Sequence, residues 1–189
     1  MIYYLLCKRF LSLSLSLKNL FSTKGDGLVF NKLFKGKNKE KHADIKSKSF
    51  QFIYPLEGKV IPIEDVPDPV FSQKMMGEGF AIEPTNNMVK SPVDGEVISV
   101  FPTKHAVSLK DHIGNEILIH VGLDTVTLKG KGFKSFVKSG QSVKQGDKLL
   151  EVDFEFLKDK VPSIVTPVII TNLQDEQKVV TKEDHVEIG

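Results

Sequence analysis

From residue 50 onward, short apolar runs cut by proline, glycine and aspartate dominate this sequence. Valine, isoleucine, phenylalanine and threonine fill these runs, and these residue types favour strands. Turn signals recur every 8–12 residues, and no window of 12 or more residues repeats its apolar positions with a helical period. The sequence therefore predicts an all-β fold, a sandwich or a barrel of short strands with few helical turns.

The strand and helix predictions can be placed along the chain. Two stretches could form one or two helical turns, Lys131–Lys138 and Phe154–Lys160. The predicted strands are Phe52–Pro55, Gly58–Ile63, Gly79–Ile82, Gly95–Phe101, Ala106–Leu109, Glu116–Val121, Thr125–Leu128, Lys148–Val152 and Val165–Thr171.

Charge is unevenly distributed along the chain. Residues 1–50 hold 11 Lys+Arg and 3 Asp+Glu, whereas residues 51–189 hold 15 and 21. An acidic body argues against nucleic acid as a partner, because the phosphate backbone repels it. A single cysteine, Cys7, excludes an internal disulfide and fits a reducing compartment such as the cytoplasm.

The first 49 residues divide into two segments ahead of a folded domain at 50–189. Residues 1–27 form an N-terminal extension, which is either native or lies upstream of a natural start near Leu28. Residues 28–35 place apolar side chains on one face of a short basic helix, which either contacts an anionic membrane or is a frayed tail end. The lysine-rich remainder, to residue 49, is typical of a flexible linker.

Two histidines stand out from the five in the chain. His120 ends the run Glu116–Ile119, and alternation places it on the same face as Leu118. His105 lies 15 residues earlier, and a hairpin through Gly114 would bring the two imidazoles side by side. His42, His112 and His185 are interpreted as surface side chains.

Paired imidazoles admit three kinds of chemistry. They could bind zinc, although two ligands are too few for a closed site. They could serve as acid and base, because histidine titrates near neutral pH. One ring could instead attack phosphorus while the other donates a hydrogen bond to the phosphoryl oxygens. Spacing alone leaves these alternatives open.

Eight motifs then occur in a recognisable order, and together they resemble the glucose-type enzyme IIA of the bacterial sugar phosphotransferase system over roughly residues 50–175. The motifs are Ile63–Phe71, Met76–Gly79, Pro92–Gly95, Phe101–Ala106, Ile119–Val126, Lys129–Phe133, Gly140–Asp147 and Thr166–Asn172.

The resemblance implies a β-sandwich and a phosphoryl relay that needs no cofactor. His120 would accept phosphate from the phosphocarrier protein HPr on Nε2 and donate it to the IIB domain of a sugar permease. His105 would support the phosphoryl group, with Thr103 hydrogen-bonded within the pair, and the Gly122 carbonyl would hold Nδ1–H of His120. In some relatives the two histidines share zinc with a regulated partner, so His105 and His120 are also possible zinc ligands in such a complex.

The resemblance also implies a docking surface around the histidines, and a cytoplasmic protein that acts on a separate permease. Core packing is the alternative interpretation for each apolar residue of that surface. The acidic residue there would either repel the phosphate toward transfer or cap a turn. The predicted docking residues are Val70, Phe71, Met76, Phe101, Leu118, Asp124 and Val126.

Three other functions stay open at this point. A zinc peptidase of similar fold would need a third metal ligand. A biotinyl or lipoyl carrier would use Lys104 as its attachment site, although the usual methionine-flanked context is missing. A purely regulatory protein would leave both histidines structural.

Overall fold

The structure is a computed structural model and describes residues 50–174 and 176–189. The predicted extension 1–27 and the segment 28–49 lie outside the described residues, as do Cys7 and His42, so the predictions made for them stay predictions. In the part of the chain that the structure describes, no helix is long and apolar enough to span a bilayer.

Short strands are the main secondary structure of the described residues, and tight turns join them. Two short α-helices, α1 (Pro69–Ser72) and α2 (Phe154–Lys158), and two 3-10 turns, Ile63–Asp65 and Thr125–Leu128, lie between them. The strands are β1 (Phe50–Ile53), β2 (Gly58–Pro62), β3 (Glu78–Pro84), β4 (Met88–Lys90), β5 (Gly95–Val100), β6 (Ala106–Asp111), β7 (Glu116–His120), β8 (Phe133–Ser135), β9 (Ser142–Val143), β10 (Lys148–Val152), β11 (Thr166–Ile170), β12 (Val179–Thr181) and β13 (His185–Ile188).

Antiparallel pairing arranges the strands into one large and two small sheets. The large sheet has seven strands in the order β2-β3-β11-β7-β6-β5-β9. The small sheets have the orders β4-β10-β8 and β1-β13-β12. The main hydrophobic core combines buried side chains of the large sheet, such as Ile117 and Ile119, with Leu149 of β10 and Val186 of β13. The fold is therefore the β-sandwich that the sequence predicts.

The opposite face of the large sheet carries a second, smaller core. Because side chains alternate along a strand, the neighbours of the main-core residues point to this other face. They are Ala81 on β3, Ala106 on β6, Leu118 on β7 and Ile169 on β11. Helix α1 and the 3-10 turn before it cover them with Phe71, Ile63 and Val66. His120 shares the face of Leu118, so this second core lies beneath it.

Two sequence predictions about secondary structure are wrong. Thr125–Leu128 is a 3-10 turn and not a strand, because Asp124 and Lys129 bracket it with left-handed backbone angles, φ 56° and 52°. Lys131–Lys138 contains strand β8 and not a helical turn, since it pairs with β10 and buries Phe133. The helical turn predicted at Phe154–Lys160 is confirmed as α2.

Candidate active site

The β6–β7 hairpin brings the two histidines together. Ala106 lies opposite His120 in the antiparallel register, and the Val121 N–H donates to the His105 carbonyl at 2.8 Å. The imidazole centroids are 5.0 Å apart, and their planes are inclined at 76°. The pairing predicted from a hairpin through Gly114 is therefore present.

One ring nitrogen of His120 is held by the backbone that follows it. Nδ1 of His120 lies 2.9 Å from the Gly122 carbonyl oxygen. A carbonyl can only accept a hydrogen bond, so Nδ1 carries the proton in this contact. In the neutral ring Nε2 is then unprotonated, and it presents a lone pair.

Glycine is required at position 122 because of its backbone angle and its close neighbours. Its φ of +68° is one that residues with a Cβ rarely adopt. A Cβ built there would lie 2.6 Å from Thr125 Cγ2 and 3.1 Å from the Ser163 carbonyl oxygen. The turn can therefore aim the Gly122 carbonyl back at His120 only while the residue has no side chain.

His105 is more deeply placed than His120 and has a different polar partner. It is 8% exposed, whereas His120 is half-buried. Its Nδ1 lies 2.6 Å from the hydroxyl oxygen of Thr103, two residues earlier. The contact predicted between Thr103 and the histidine pair is thus present, and it leaves Nε2 of His105 for other interactions.

Burial keeps both imidazoles neutral. It lowers the pKa of His105 from 6.5 to about 3, with a smaller contribution from His120 beside it. Burial also lowers the pKa of His120, although the bond to Gly122 and the charges of Asp68 and Asp124 act in the opposite direction. At neutral pH the pair therefore offers nitrogen lone pairs and N–H donors, not positive charge.

Aromatic side chains pack against both rings. The Phe71 ring centroid is 5.2 Å from that of His120, and the Phe101 ring centroid is 5.4 Å from that of His105. Met76 packs with Phe101 against the second core. Four of the predicted docking residues, Phe71, Met76, Phe101 and Leu118, thus belong to one apolar cluster beneath and beside the histidines.

The predicted docking residues differ in how much surface they present. Leu118 is only 2% exposed, so its burial favours the packing alternative that the sequence left open. Val70 on α1 and Val126 on the 3-10 turn are half-buried, as are Met76 and Phe101. Met75, which precedes Met76 in the sequence, is 48% exposed and was not among the predicted residues.

Two carboxylates lie near His120, and only one of them was predicted. Asp124 is exposed and precedes the 3-10 turn. Asp68 caps helix α1, where its Oδ1 accepts a hydrogen bond from the Val70 N–H at 2.7 Å. An aspartate directly before a proline is typical of a helix start, and this signal could have placed Asp68 beside the site.

The remaining described histidines lie elsewhere on the surface. His112 is exposed in the turn between β6 and β7, as predicted. His185 lies between Asp184, 2.6 Å from its Nδ1, and Glu187, 3.2 Å from its Nε2. The hydrogen bond to Asp184 and then that to Glu187 raise the pKa of His185. Over residues 50–174 and 176–189, no three His, Cys, Asp or Glu side chains are placed to hold a metal.

Comparison with known proteins identifies the family. The sequence profile of the family described as "phosphoenolpyruvate-dependent sugar phosphotransferase system, EIIA 1" matches residues 50–176. The chain belongs to this EIIA family. It is a glucose-family EIIA component of the phosphotransferase system, a group of proteins that transfer phosphoryl groups in sugar uptake.

Individual relatives agree with this assignment. The chain is 51% identical over 167 residues to the glucose-specific EIIA component of Staphylococcus epidermidis, and this match covers 84% of this chain and 96% of the relative. It is 55% identical over 125 residues to the glucosamine-specific EIICBA component of Bacillus subtilis, covering 66% of this chain and 20% of that longer protein. The glucose permease IIA from Mycoplasma capricolum superimposes with a TM-score of 0.69 at 42% identity, over 75% of this chain and 96% of that one.

EIIA membership excludes two of the three other functions that the sequence left open. A zinc peptidase and a biotinyl or lipoyl carrier belong to other families. Lys104, the attachment site that a carrier would use, instead takes a left-handed conformation with φ 56° in the turn that leads to His105.

Proposed function

We propose that His120 accepts a phosphoryl group from phosphorylated HPr on Nε2 and passes it to the IIB domain of a sugar permease. The observation that carries this proposal is the bond between Nδ1 of His120 and the Gly122 carbonyl. It holds the proton on Nδ1, so the nucleophilic lone pair resides on Nε2. Family membership supplies the class of reaction.

The proposed transfer step needs neither a metal nor an added base. The Nε2 lone pair of His120 forms a bond to phosphorus, while the bond from phosphorus to the HPr donor atom breaks and leaves its electron pair on HPr. The phosphorylated ring keeps its Nδ1 proton, and the bond to Gly122 stabilises the positive charge that develops on that ring. The second transfer, to the IIB domain, reverses these roles.

His105 supports the phosphoryl group and is not itself the acceptor. The Thr103 hydroxyl oxygen lies 2.6 Å from Nδ1 of His105. We propose that the hydroxyl donates in this contact, which places the ring proton on Nε2. With its pKa at about 3 the ring stays neutral, and Nε2–H donates a hydrogen bond to the phosphoryl oxygens. The differing polar partners of the two histidines thus give them different roles.

The apolar surface beside the histidines docks both protein partners. Half-buried Val70, Met76 and Phe101, with exposed Met75, offer adaptable contacts, since methionine side chains accommodate different partners. Asp124 and Asp68 add negative charge that complements a basic partner surface. The same surface also suits regulated permeases or enzymes, where His105 and His120 could share zinc with a partner ligand.

The protein acts in the cytoplasm, where its family partners supply and receive the phosphoryl group. The relay needs no resident cofactor. Residues 28–35, which lie outside the described residues, are proposed to contact the inner face of the membrane near the permease that the protein serves, and the alternative is that they are a frayed tail end. A vesicle-binding assay that compares the full chain with one beginning at residue 36 tests this contact, because equal binding by both would remove it.

Mass spectrometry after incubation with phosphoenolpyruvate, enzyme I and HPr tests the central proposal. The full chain should gain one acid-labile phosphoryl group, and His120→Ala should gain none. His112→Ala, which removes the exposed histidine at the other end of the same hairpin, is the matched control and should be phosphorylated normally. Normal phosphorylation of His120→Ala would overturn the proposal.

His105→Ala separates the two proposed roles. This variant should still accept the phosphoryl group, because Nε2 of His120 is intact, but should donate it poorly to a IIB domain. Equal loss of acceptance in the His105 and His120 variants would contradict a purely supporting role for His105.

A further inference from the structure

The segment that follows His120 is held at three successive points. The Val121 N–H donates to the His105 carbonyl at 2.8 Å, and the Leu123 N–H donates to the Ser163 carbonyl at 2.8 Å. Between them lies the peptide that joins Val121 to Gly122. Its carbonyl oxygen accepts a hydrogen bond from the Thr125 hydroxyl at 2.7 Å.

Thr125 contacts this segment with both branches of its side chain. Its hydroxyl donates to the Val121 carbonyl, and its Cγ2 lies 2.6 Å from the position that a Cβ on Gly122 would take. Thr125 is fully buried, so water does not compete for the hydroxyl. A β-branched side chain also has few rotamers, which fixes both contacts at once.

These contacts set the plane of the peptide before Gly122 and thereby the direction of the next carbonyl. With φ at +68°, rotation of the Val121–Gly122 peptide would swing the Gly122 carbonyl away from Nδ1 of His120. Without that acceptor, the proton of a neutral imidazole can move to Nε2, and Nε2 then has no lone pair for phosphorus. Two hydrogen bonds thus connect Thr125 to His120, the first from the Thr125 hydroxyl to the Val121 carbonyl and the second from His120 Nδ1–H to the Gly122 carbonyl.

We infer that Thr125 is a positioning residue for phosphoryl transfer, which holds the Gly122 carbonyl where it keeps the His120 proton on Nδ1. This inference rests on the proposed role of His120 as the acceptor. The Thr125 hydroxyl donates to a backbone carbonyl and not to the imidazole, so it acts through the backbone.

The same 3-10 turn offers a matched control. Thr127 donates its hydroxyl to the Asp124 carbonyl, also at 2.7 Å, but it is exposed and its acceptor lies outside the Val121–Gly122 peptide. Thr125→Val and Thr127→Val therefore each remove one hydroxyl-to-carbonyl bond of equal length while keeping a β-branched side chain. Only the first removes a constraint on the carbonyl that His120 uses.

Nitrogen-15 NMR of the His120 ring above pH 7 reports its tautomer directly. The rate of phosphoryl transfer from phosphorylated HPr measures how fast His120 accepts the group. The wild type and Thr127→Val should show a single tautomer, protonated on Nδ1. Thr125→Val should show a mixture of tautomers and accept the phosphoryl group about tenfold more slowly, the factor expected for one buried hydrogen bond. A single Nδ1–H tautomer in Thr125→Val, or a rate equal to that of Thr127→Val, would overturn the inference.

A second pair of variants covers the case in which Thr125→Val does not fold. Thr125→Ser keeps the hydroxyl and should retain the Nδ1–H tautomer, whereas Thr125→Ala loses the hydroxyl and should not. Identical tautomers in these two variants would overturn the inference. Because the NMR measurement needs no phosphoryl donor, it tests Thr125 even if wild-type His120 fails to accept phosphate, which would instead overturn the proposed function.

Discussion

The two ends of the β6–β7 hairpin use their polar side chains in opposite ways. At the turn, Asp111 accepts hydrogen bonds from the backbone N–H groups of Ile113, Gly114 and Asn115 at 2.7–2.9 Å, and from the Asn115 amide at 2.7 Å. At the other end, His120 makes one backbone contact through Nδ1, and its Nε2 stays available for chemistry.

This difference separates a structural end of the hairpin from a reactive one. A carboxylate that accepts four hydrogen bonds stabilises its own turn and has little capacity left for a ligand. A ring that uses one nitrogen for positioning keeps the other for bond formation. Variants at each end test whether stability depends on the turn and transfer on the histidine end.

Asp111→Ala should have the largest effect, and the effect should be on stability. It removes the acceptor of the Ile113 and Asn115 N–H groups and leaves the Gly114 N–H with only the Asp111 backbone carbonyl, at 3.3 Å. We therefore expect a loss of about 3 kcal/mol in the free energy of unfolding, measured in urea. His112→Ala in the same turn is the control and should change it by less than about 0.5 kcal/mol. At temperatures where Asp111→Ala is folded, its rate of phosphoryl acceptance should match that of the wild type. A slower rate would contradict the separation of the hairpin into a structural end and a reactive end.

Gly122→Ala should have its main effect on transfer. The new Cβ would meet Thr125 Cγ2 at 2.6 Å, so the carbonyl that binds His120 must shift. We expect phosphoryl acceptance from HPr to slow about hundredfold, or about 2.7 kcal/mol in the barrier, because small misplacements of a reacting group cost that much.

Gly114→Ala is the matched control from the turn end of the hairpin. Gly114 also has a positive φ, +103°, but nothing lies within 4 Å of a Cβ built there. This variant should lose about 1 kcal/mol of stability through backbone strain alone and transfer phosphate normally. If both glycine variants slow transfer equally, strain and not the position of the carbonyl is the cause.

The sequence predicts the hairpin and the meeting of the histidines well, because both follow from local rules. Alternation places His120 and Leu118 on one face, and glycine with asparagine marks the turn. The burial of Leu118 is harder to predict. It depends on α1, distant in sequence, which covers that face of the sheet with Phe71.

The segment after His120 shows where strand preference fails. Thr125–Leu128 is rich in strand-forming residues, yet it forms a 3-10 turn. The Thr125 hydroxyl bonds backward to the Val121 carbonyl, and Asp124 takes a left-handed conformation. Such local side-chain bonds compete with strand pairing, and composition does not reveal which of them wins.

The low pKa of His105 predicts a pH dependence of stability. In the unfolded chain the ring takes up a proton near 6.5, whereas in the folded protein it does so only near 3. The unfolded state therefore binds more protons as the pH falls below about 6.5, and the stability that neutral His105 provides above that pH is lost toward 3. His105→Gln should lose about 2 kcal/mol less than the wild type between pH 7 and pH 5.

Urea unfolding at the two pH values measures this difference, and Gln is chosen because it can still contact Thr103. An equal loss in the wild type and in His105→Gln would show that burial does not hold this ring neutral. NMR titration of the wild-type ring gives an independent check, since His105 should not titrate between pH 7 and pH 5.

Thr103→Val should have the smallest effect, and mainly on onward transfer. It keeps the shape of Thr103 but removes the hydroxyl that lies 2.6 Å from Nδ1 of His105. In the proposed mechanism, the His105 proton would then no longer be held on Nε2 for donation to the phosphoryl oxygens. We expect donation from phosphorylated His120 to a IIB domain to slow about tenfold, or about 1.4 kcal/mol, with acceptance from HPr changed less.

Single-turnover transfer from the purified phosphoprotein separates these two steps. Thr127→Val again serves as the control, because it removes an exposed hydroxyl that does not contact either histidine's ring nitrogens. If Thr103→Val slows acceptance as much as donation, His105 acts at both steps, and the support it gives is already needed when the phosphoryl group arrives. If it slows neither, the tautomer of His105 does not matter, and the reactive end of the hairpin reduces to His120 and the carbonyl that orients it.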